Sequence, residues 1–381
     1  MILPPQTIGI LGGGQLARMI AMAGRRMGFH FIVYEPAAEC PAEGVCDSRF
    51  NASFEDEESL ATFASQISAC TVEFENVPVA TAEFIADRVP FSPGVAILKT
   101  CQSRRLEKEF LRANGFPCVP FEVVESEAGL RTAVQKLGYP SVLKSAYFGY
   151  DGKGQIRLRT PEDCQTAWAR LGVASGVLES WITHSGEFSI IVARDKLGHK
   201  SAFPAVENLH VNHILHTSIM PAQIGEKEAE ELEEIAFGIA DAFEMVGLAA
   251  VEFFRTDSGW MVNEIAPRPH NSGHLTFDAC MTSQFEQCVR ATCGLPFGDT
   301  KLMQHGIMMN LMGDLWHPDT PDWNELLNHP NLKLHLYGKK HAKPGRKMGH
   351  LTILDSNLDP ALKLCWQLEL RLMGSALSER E

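Results

Sequence analysis

The chain has 381 residues, of which 45% are hydrophobic and 21% charged, and it carries a net charge of -13. That length calls for two or three domains rather than one core, and ordinary apolar content excludes disorder. The acidic balance excludes a general nucleic-acid binder while leaving room for a local basic pocket that takes a phosphorylated metabolite.

In chain order, residues 7–11 form a short apolar strand running into Gly12-Gly13-Gly14-Gln15-Leu16-Ala17. Helical spacing follows through Met27, and a second strand over 29–34 ends at Glu35. A strand, glycine turn and helix of this kind aims backbone amides at an anion. Gly12-x-Gly14-x-x-Ala17 followed by Glu35 also matches the dinucleotide fingerprint, although glycines serving close packing alone would leave the same trace. A strand over 69–74 leads to Glu75-Asn76-Val77-Pro78. Polar residues at the carboxyl end of such a strand bind ligands in open α/β sheets, so Glu75 is a substrate-site candidate, with helix capping as the alternative. The first domain closes near Phe91-Ser92-Pro93-Gly94. The charged amphipathic helix at 103–111 reads, alone, as a solvated face. A strand over 117–124, a helix over 127–137 and a strand over 139–145 follow. Lys144 stands among apolar residues in that last strand and must snorkel out or meet an anion. Phe148-Gly149-Tyr150-Asp151-Gly152-Lys153-Gly154-Gln155 reads as a phosphate flap, because its glycines let backbone approach phosphates. A plain hairpin turn at Asp151-Gly152 is the simpler reading.

Further on, strands are expected at 177–182 and 188–193, an edge segment at 203–210, and a long helix at 226–245 with a solvated acidic face. Two apolar runs, 247–254 and one from Met261 that ends on a carboxylate within the stretch 261–274, flank the turn signal Thr256-Asp257-Ser258-Gly259 and predict an antiparallel hairpin. A five-residue loop would set Glu252 directly opposite Glu264; one residue fewer makes them diagonal neighbours. Like charges facing each other in an apolar sheet repel, and burying them uncompensated costs several kcal/mol. A divalent cation is the natural compensation, and oxygen ligands of this kind suit magnesium shared with phosphates. Solvated edge glutamates are the plainer reading, disfavoured by the apolar flanks. A helix at 277–293, ended by Gly294, should pack behind this hairpin. The tail looks strand-rich and carries a basic stretch, 337–350, that reads as a phosphate contact or a solvated loop. No apolar run approaches bilayer length, and no basic-then-apolar leader opens the chain. Ten cysteines without a Cys-x-x-Cys pair read as reduced core thiols. The expectation is a cytoplasmic protein without nucleic-acid or membrane partners.

The order of these pieces resembles the ATP-grasp superfamily. Within it, Gly12-Gly13-Gly14-Gln15-Leu16, the flap Gly149-Tyr150-Asp151-Gly152-Lys153-Gly154-Gln155, Asn263-Glu264-Ile265-Ala266-Pro267-Arg268-Pro269-His270-Asn271-Ser272-Gly273-His274 and Lys347-Met348-Gly349-His350 are similar to the 5-(carboxyamino)imidazole ribonucleotide synthase family. The resemblance implies a mixed α/β and α+β fold. It would comprise a Rossmann-like pre-ATP-grasp domain over 1–100, an ATP-grasp domain over 101–300 with a lid at about 120–184, and a small β-rich C-terminal domain over 301–381. The implied activity is ATP-dependent carboxylation of 5-aminoimidazole ribonucleotide with bicarbonate, through carboxyphosphate, in purine biosynthesis. ATP and Mg2+ are the implied cofactors, and a homodimer the implied assembly.

The implied ATP site comprises Arg104, Lys144 and the flap residues Gly149, Tyr150, Asp151, Gly152, Lys153, Gly154 and Gln155, with Glu179, Ser180, Trp181 and Ile182 at the adenine. Glu187 would hold the ribose, and His210, Asn263 and Glu264 complete the nucleotide site. Glu252 and Glu264 would bind the metal. Gln15, Leu16, Glu75, Tyr150, Asn271, Ser272, Lys339 and Arg346 are implied for the ribonucleotide or bicarbonate. Asp151, Lys153, Arg268 and His270 are the implied catalytic set, with Asp151 and His270 as candidate bases. The sequence departs from the family where Ala17 replaces a frequent glycine and where Ser145-Ala146-Tyr147-Phe148 replaces Thr-Arg-x-Gly, which removes a basic contact. Two other activities compete: a formate-dependent glycinamide ribonucleotide ligase of the same superfamily, and an NAD-dependent oxidoreductase, which leaves the flap and the glutamate pair unexplained.

Overall fold

The computed structural model describes residues 1–147, 154–317 and 320–377, with side chains described as far as Leu372. Strands β1 (Thr7–Leu11), β2 (His30–Tyr34), β3 (Ser48–Phe50) and β4 (Ala69–Val72) form a parallel sheet in the order β3-β2-β1-β4. Every residue of β4 and four of five in β1 are buried, as a sheet covered on both faces requires. The helix Gln15–Arg26 turns Leu16, Met19, Ile20 and Ala23 inward, a 3.6-residue stripe. These side chains share one core with Phe285, Cys288, Val289 and Cys293 of the helix Gln284–Cys293.

A second sheet joins β5 (Phe121–Val124), β6 (Ser141–Ser145), β7 (Gln155–Leu158) and β8 (Gly176–Ser180) in the order β5-β8-β6-β7. The helices Glu127–Leu137 and Pro161–Leu171 pack on it through Leu130, Ala133, Val134, Cys164 and Ala167. The largest sheet contains β9 (Gly186–Arg194), β10 (Lys200–Ala202), β11 (Val206–Val211), β12 (Ile214–Met220), β13 (Gly247–Thr256), β14 (Gly259–Ala266), β15 (His305–Met312), β16 (Leu332–Leu336) and β17 (Lys347–Asp355). Its order is β14-β13-β9-β11-β12-β15-β17-β16, with β10 added to β9. The helix Glu226–Ala242 covers one face through Leu232, Ala236, Ile239 and Ala240.

Four expectations change. The segment expected at a sheet edge is β11, an interior strand between β9 and β12; Asn208 belongs to a buried hydrogen-bond chain and His210 to a cleft, while Glu207 accepts from the Gln223 amide at the surface. The helix expected over 277–293 is two helices, Thr276–Ala279 and Gln284–Cys293, parted where Cys280 pairs with Leu302. The strand-rich tail does supply β15 to β17, but these extend the large sheet, and a 20-residue helix, Leu358–Leu377, follows them. Leu358, Ala361, Cys365, Leu368 and Leu372 of that helix share a core with β15 and β17, a spacing of three and four that the sequence already carries. The helix Arg104–Ala113 is not simply solvated: Glu107, Lys108 and Leu111 are buried.

The hairpin register is reached by an unexpected route. Thr256 pairs with Gly259, so the loop is only Asp257-Ser258, yet Glu252 pairs with Glu264. A bulge at Asn263, between the Glu252–Glu264 and Phe253–Val262 pairs, restores the opposition that a longer loop would have produced.

Candidate active site

A cleft of about 920 Å³ opens between the second sheet, the β13–β14 hairpin and the carboxyl ends of β1 and β4. Of the residues expected from sequence, Gln15, Leu16, Glu75, Arg104, Lys144, Gln155, Glu179, Ser180, Trp181, Ile182, Glu187, His210, Glu252, Asn263, Glu264, Arg268, His270 and Asn271 all line it. Gly149, Tyr150, Asp151, Gly152 and Lys153 lie outside the described residues. Gly154 adjoins the wall, where a Cβ would meet the Ser145 hydroxyl at 2.8 Å.

The second sheet supplies the basic wall. Lys144 on β6 reaches across to β8, where its ammonium lies 2.6 Å from the Glu179 carboxylate. Burial by itself would raise the Glu179 carboxyl, but Lys144, Lys108 and Arg104 outweigh it and hold it at about 2. Burial also pulls Lys144 down, helped by Arg104, and Glu179 only partly offsets this. Lys144 is thus a desolvated cation with one counterion, suited to meet further negative charge. Beyond β8 the chain crosses the cleft as Trp181-Ile182, and the Arg157 guanidinium stacks 3.6 Å over the Trp181 ring. The amides of Ser180 and Trp181 donate to the Pro120 and Pro140 carbonyls, which fixes this linker as a wall rather than a loop.

The hairpin supplies the acidic floor. Glu252 is buried; its carboxyl is held low because the His270 hydrogen bond and charge, then His210 and Asn263, outweigh burial. The His270 Nε2 to Glu252 Oε1 distance is 3.2 Å, and the Asn263 amide donates to Glu252 at 3.3 Å. Glu264, facing it, is pushed up by burial and then by the charge of Glu252. A buried carboxylate facing a half-buried one that resists ionisation is a donor set short of positive charge, and a dication would relieve it. Among the described residues no three His, Cys, Asp or Glu side chains converge into a cage, so a cation here would complete its shell with phosphate and water oxygens, as magnesium does. At the floor's edge, His210 Nδ1 lies 2.6 Å from Glu187 Oε2.

A third group faces the ends of β1 and β4. Arg268 is ion-paired with Glu75; burial opposes its charge, but Glu75, Glu264 and Glu73 together outweigh that. His270 is held from behind, because the buried Gln284 side chain accepts from its amide at 2.9 Å and donates to its carbonyl at 2.7 Å. Its Nδ1 lies 2.8 Å from the Ser272 hydroxyl, which continues to Ser189 at 2.7 Å, to Asn208 and to Ser218. Ser272, expected at the substrate, is therefore fully buried behind His270 and does not line the cleft. Lys339 and Arg346 do not line it either. Lys339 donates to the Lys347 carbonyl at 2.7 Å and Arg346 pairs with Glu39 at 3.0 Å, beside the N-terminal sheet. Burial and the Arg346 charge push Lys339 down to about 8.

The glycine turn holds an anion of its own. The Gly13 amide donates to Glu35 and the Gly14 amide to Glu73, each at 2.7 Å. A Cβ on Gly14 would lie 2.1 Å from Glu73 Oε1, and one on Gly12, at φ +98°, 2.7 Å from the Phe74 ring. The glycines thus admit protein carboxylates at the amides that the dinucleotide reading reserves for pyrophosphate, and Glu35 is occupied at the turn. Glu73 escaped the sequence reading: it stands just past the end of β4, in the bend that leads to Glu75. Glu107, Arg157, His213 and Lys347 also line the cleft; nothing in their local pattern distinguished Glu107 from the exposed charges of its helix.

A basic sheet and an acidic hairpin thus face each other across the Trp181-Ile182 linker. Residues 109–285 match the ATP-grasp domain, 5–102 the ribonucleotide synthetase preATP-grasp domain and 306–363 the phosphoribosylaminoimidazole carboxylase C-terminal domain. The chain is 41% identical over 355 residues to the N5-carboxyaminoimidazole ribonucleotide synthase of Bacillus subtilis, covering 93% of each. To the Brucella melitensis enzyme of that name it is 42% identical over 352 residues, covering 92% of this chain and 96% of that one. It spans only 37% of the bifunctional purine synthesis protein purC/E of Dictyostelium discoideum, at 41% identity over 372 residues. An ADP complex of purK, N5-carboxyaminoimidazole ribonucleotide synthetase, superimposes with a TM-score of 0.92 at 40% identity, covering 97% of this chain and 98% of that one. An Aspergillus clavatus N5-carboxyaminoimidazole synthase in complex with ADP and aminoimidazole ribonucleotide superimposes at 0.85 with 28% identity, covering 97% and 98%. The chain belongs to the N5-carboxyaminoimidazole ribonucleotide synthase family, ATP-dependent ligases of purine biosynthesis.

Proposed function

We propose that the cleft carboxylates 5-aminoimidazole ribonucleotide with bicarbonate at the expense of ATP, giving N5-carboxyaminoimidazole ribonucleotide, ADP and phosphate. The observation that carries this is the opposition of Lys144 and Arg104 to the Glu252–Glu264 pair across one cleft, a charge pattern suited to holding a triphosphate and its metal. Bicarbonate oxygen attacks the γ-phosphorus and the bond to ADP breaks, leaving carboxyphosphate. The ribonucleotide amine then attacks the carboxyl carbon, phosphate leaves, and the amine proton passes to a base. Lys144 and Arg104 would stabilise charge on the transferring phosphoryl group. The donor set of Glu252 and Glu264 fits magnesium, which when bound neutralises phosphate charge.

Around the nucleotide, Glu179, Ser180, Trp181 and Ile182 would frame the adenine and Glu187 the ribose, with His210 and Asn263 beside them. Arg268, fixed by Glu75, and Asn271 would orient bicarbonate and the ribonucleotide. Gln15 and Leu16 at the glycine turn would complete that end. Asp151 and His270 are the candidate bases, and His270 would have to release its contact with Glu252 or Ser272 to accept the proton. A homodimer is the assembly the family implies, and light scattering on the eluted protein tests it.

The activity test is ADP release with MgATP and aminoimidazole ribonucleotide, with and without bicarbonate. Release that needs both supports the reading. Release that ignores bicarbonate but responds to formate with glycinamide ribonucleotide would replace it with the sister ligase.

A further inference from the structure

We infer that Glu107 and Lys108 are positioning residues that set the register of the carboxylate pair, an inference resting on the proposed metal role of Glu252 and Glu264. Strand β14 is the edge of the large sheet, so its outward peptide groups need partners from elsewhere. The chain supplies them in succession. The Val262 amide donates to the Pro117 carbonyl at 2.8 Å. Lys108 Nζ donates to the Asn263 carbonyl at 2.7 Å. The Ile265 amide donates to the Glu107 carboxylate at 3.3 Å. Lys108 is 0% and Glu107 4% exposed, and long ionisable side chains are almost never so buried without a task.

Their contacts fall on either side of Glu264, at the bulge. Without that extra residue, the two-residue turn would continue its ladder and place Asn263 opposite Glu252. Glu264 would then point to the other face, because side chains alternate along a strand. The bulge is where ladder bonding is locally lost, and the clamp from the helix Arg104–Ala113 supplies bonds to the peptides that flank it. Consecutive helix residues point in different directions, which lets Glu107 serve an amide and Lys108 a carbonyl two residues apart on β14.

The test measures the affinity of the full-length protein for the non-hydrolysable analogue adenylyl imidodiphosphate by calorimetry, with magnesium and with EDTA. Wild type should bind at least tenfold more tightly with magnesium. Lys108→Met, similar in length but without the donor, should keep its metal-free affinity within about threefold and lose most of the metal gain. Glu107→Leu should also lose most of the metal gain relative to its own metal-free affinity, whereas Glu107→Gln, which retains an acceptor for the Ile265 amide, should keep most of it. Glu264→Ala serves as the reference. If that variant retains the metal gain, the metal reading itself fails. If it loses the gain while Lys108→Met and Glu107→Leu keep it, the clamp is refuted. Should Lys108→Met not fold, as judged by circular dichroism, the Glu107→Leu and Glu107→Gln pair decides the question alone.

Discussion

Removing one member of the Lys144–Glu179 pair should be far more damaging than removing both. Glu179 is held at about 2 instead of its ordinary 4.5, which corresponds to roughly 3 kcal/mol of preference for the ionised form. Three cations share that effect, and Lys144 contributes the largest part. Lys144→Met therefore leaves a 3% exposed carboxylate with Lys108 and Arg104 only. The expected loss is about 2 kcal/mol, below the roughly 3–5 kcal/mol of a fully orphaned buried charge. For a unit the size of the ATP-grasp domain that lowers the melting temperature by about 4–8 °C. Lys144→Met/Glu179→Leu should recover most of the loss, since replacing both partners of a buried pair by apolar groups is often neutral.

The pH dependence has a definite sign. A depressed carboxyl contributes stability above its unfolded value of about 4.5 and loses it as pH falls towards about 2. The gap between wild type and Lys144→Met should therefore close across that window and stay constant from there up to the alkaline range in which Lys144, itself lowered by burial, loses its proton. Thermal unfolding followed by tryptophan fluorescence, with Trp181 adjacent to the pair, reads both effects. Equal melting temperatures at pH 7, or a double variant as unstable as the single, would refute the electrostatic account.

Glu264→Ala should lower ADP release by about a thousandfold or more, corresponding to at least roughly 4 kcal/mol of transition-state stabilisation, while melting within a few degrees of wild type; normal turnover would remove Glu264 from the metal site. His210 is held above its ordinary range, since Glu187 and the charge of Glu252 outweigh burial. Its contribution to stability is therefore full below pH 6.5 and lost as pH rises through the raised value. Glu187→Gln should move its NMR titration midpoint down. Gly12→Ala places a side chain at φ +98° and 2.7 Å from the Phe74 ring, so a loss of about 2 kcal/mol is expected, read as a lowered melting temperature.

Much of this site was legible because its chemistry is concentrated in motifs. Glu252 and Glu264 stood out as carboxylates inside apolar runs, and Lys144 as a lone cation in a strand. The bulge at Asn263 was not legible, since turn length alone gives the wrong register. Glu107 and Lys108 were hidden for a related reason. In a helix of mixed charges, burial is decided by what packs against it, and no local pattern tells a buried Lys108 from an exposed neighbour. The glycine turn shows the opposite failure, in which an apparent ligand motif is satisfied by Glu35 and Glu73. The helix Leu358–Leu377 was readable from its apolar spacing and was missed in a tail read only as weakly strand-rich.

The joining of β15 to β12 has a consequence for how the chain emerges from the ribosome. The strand Ile214–Met220 is made early, but its second partner, His305–Met312, is roughly 85 residues further on, some seconds of synthesis at typical rates. During that interval the nascent sheet ends in an open strand carrying Ile214, Leu215, Ile219 and Met220, the kind of edge that recruits other chains. Release of a chain stopped before residue 305 would make that exposure permanent. The C-terminal strands thus cover the strand edge that the earlier part of the sheet leaves open.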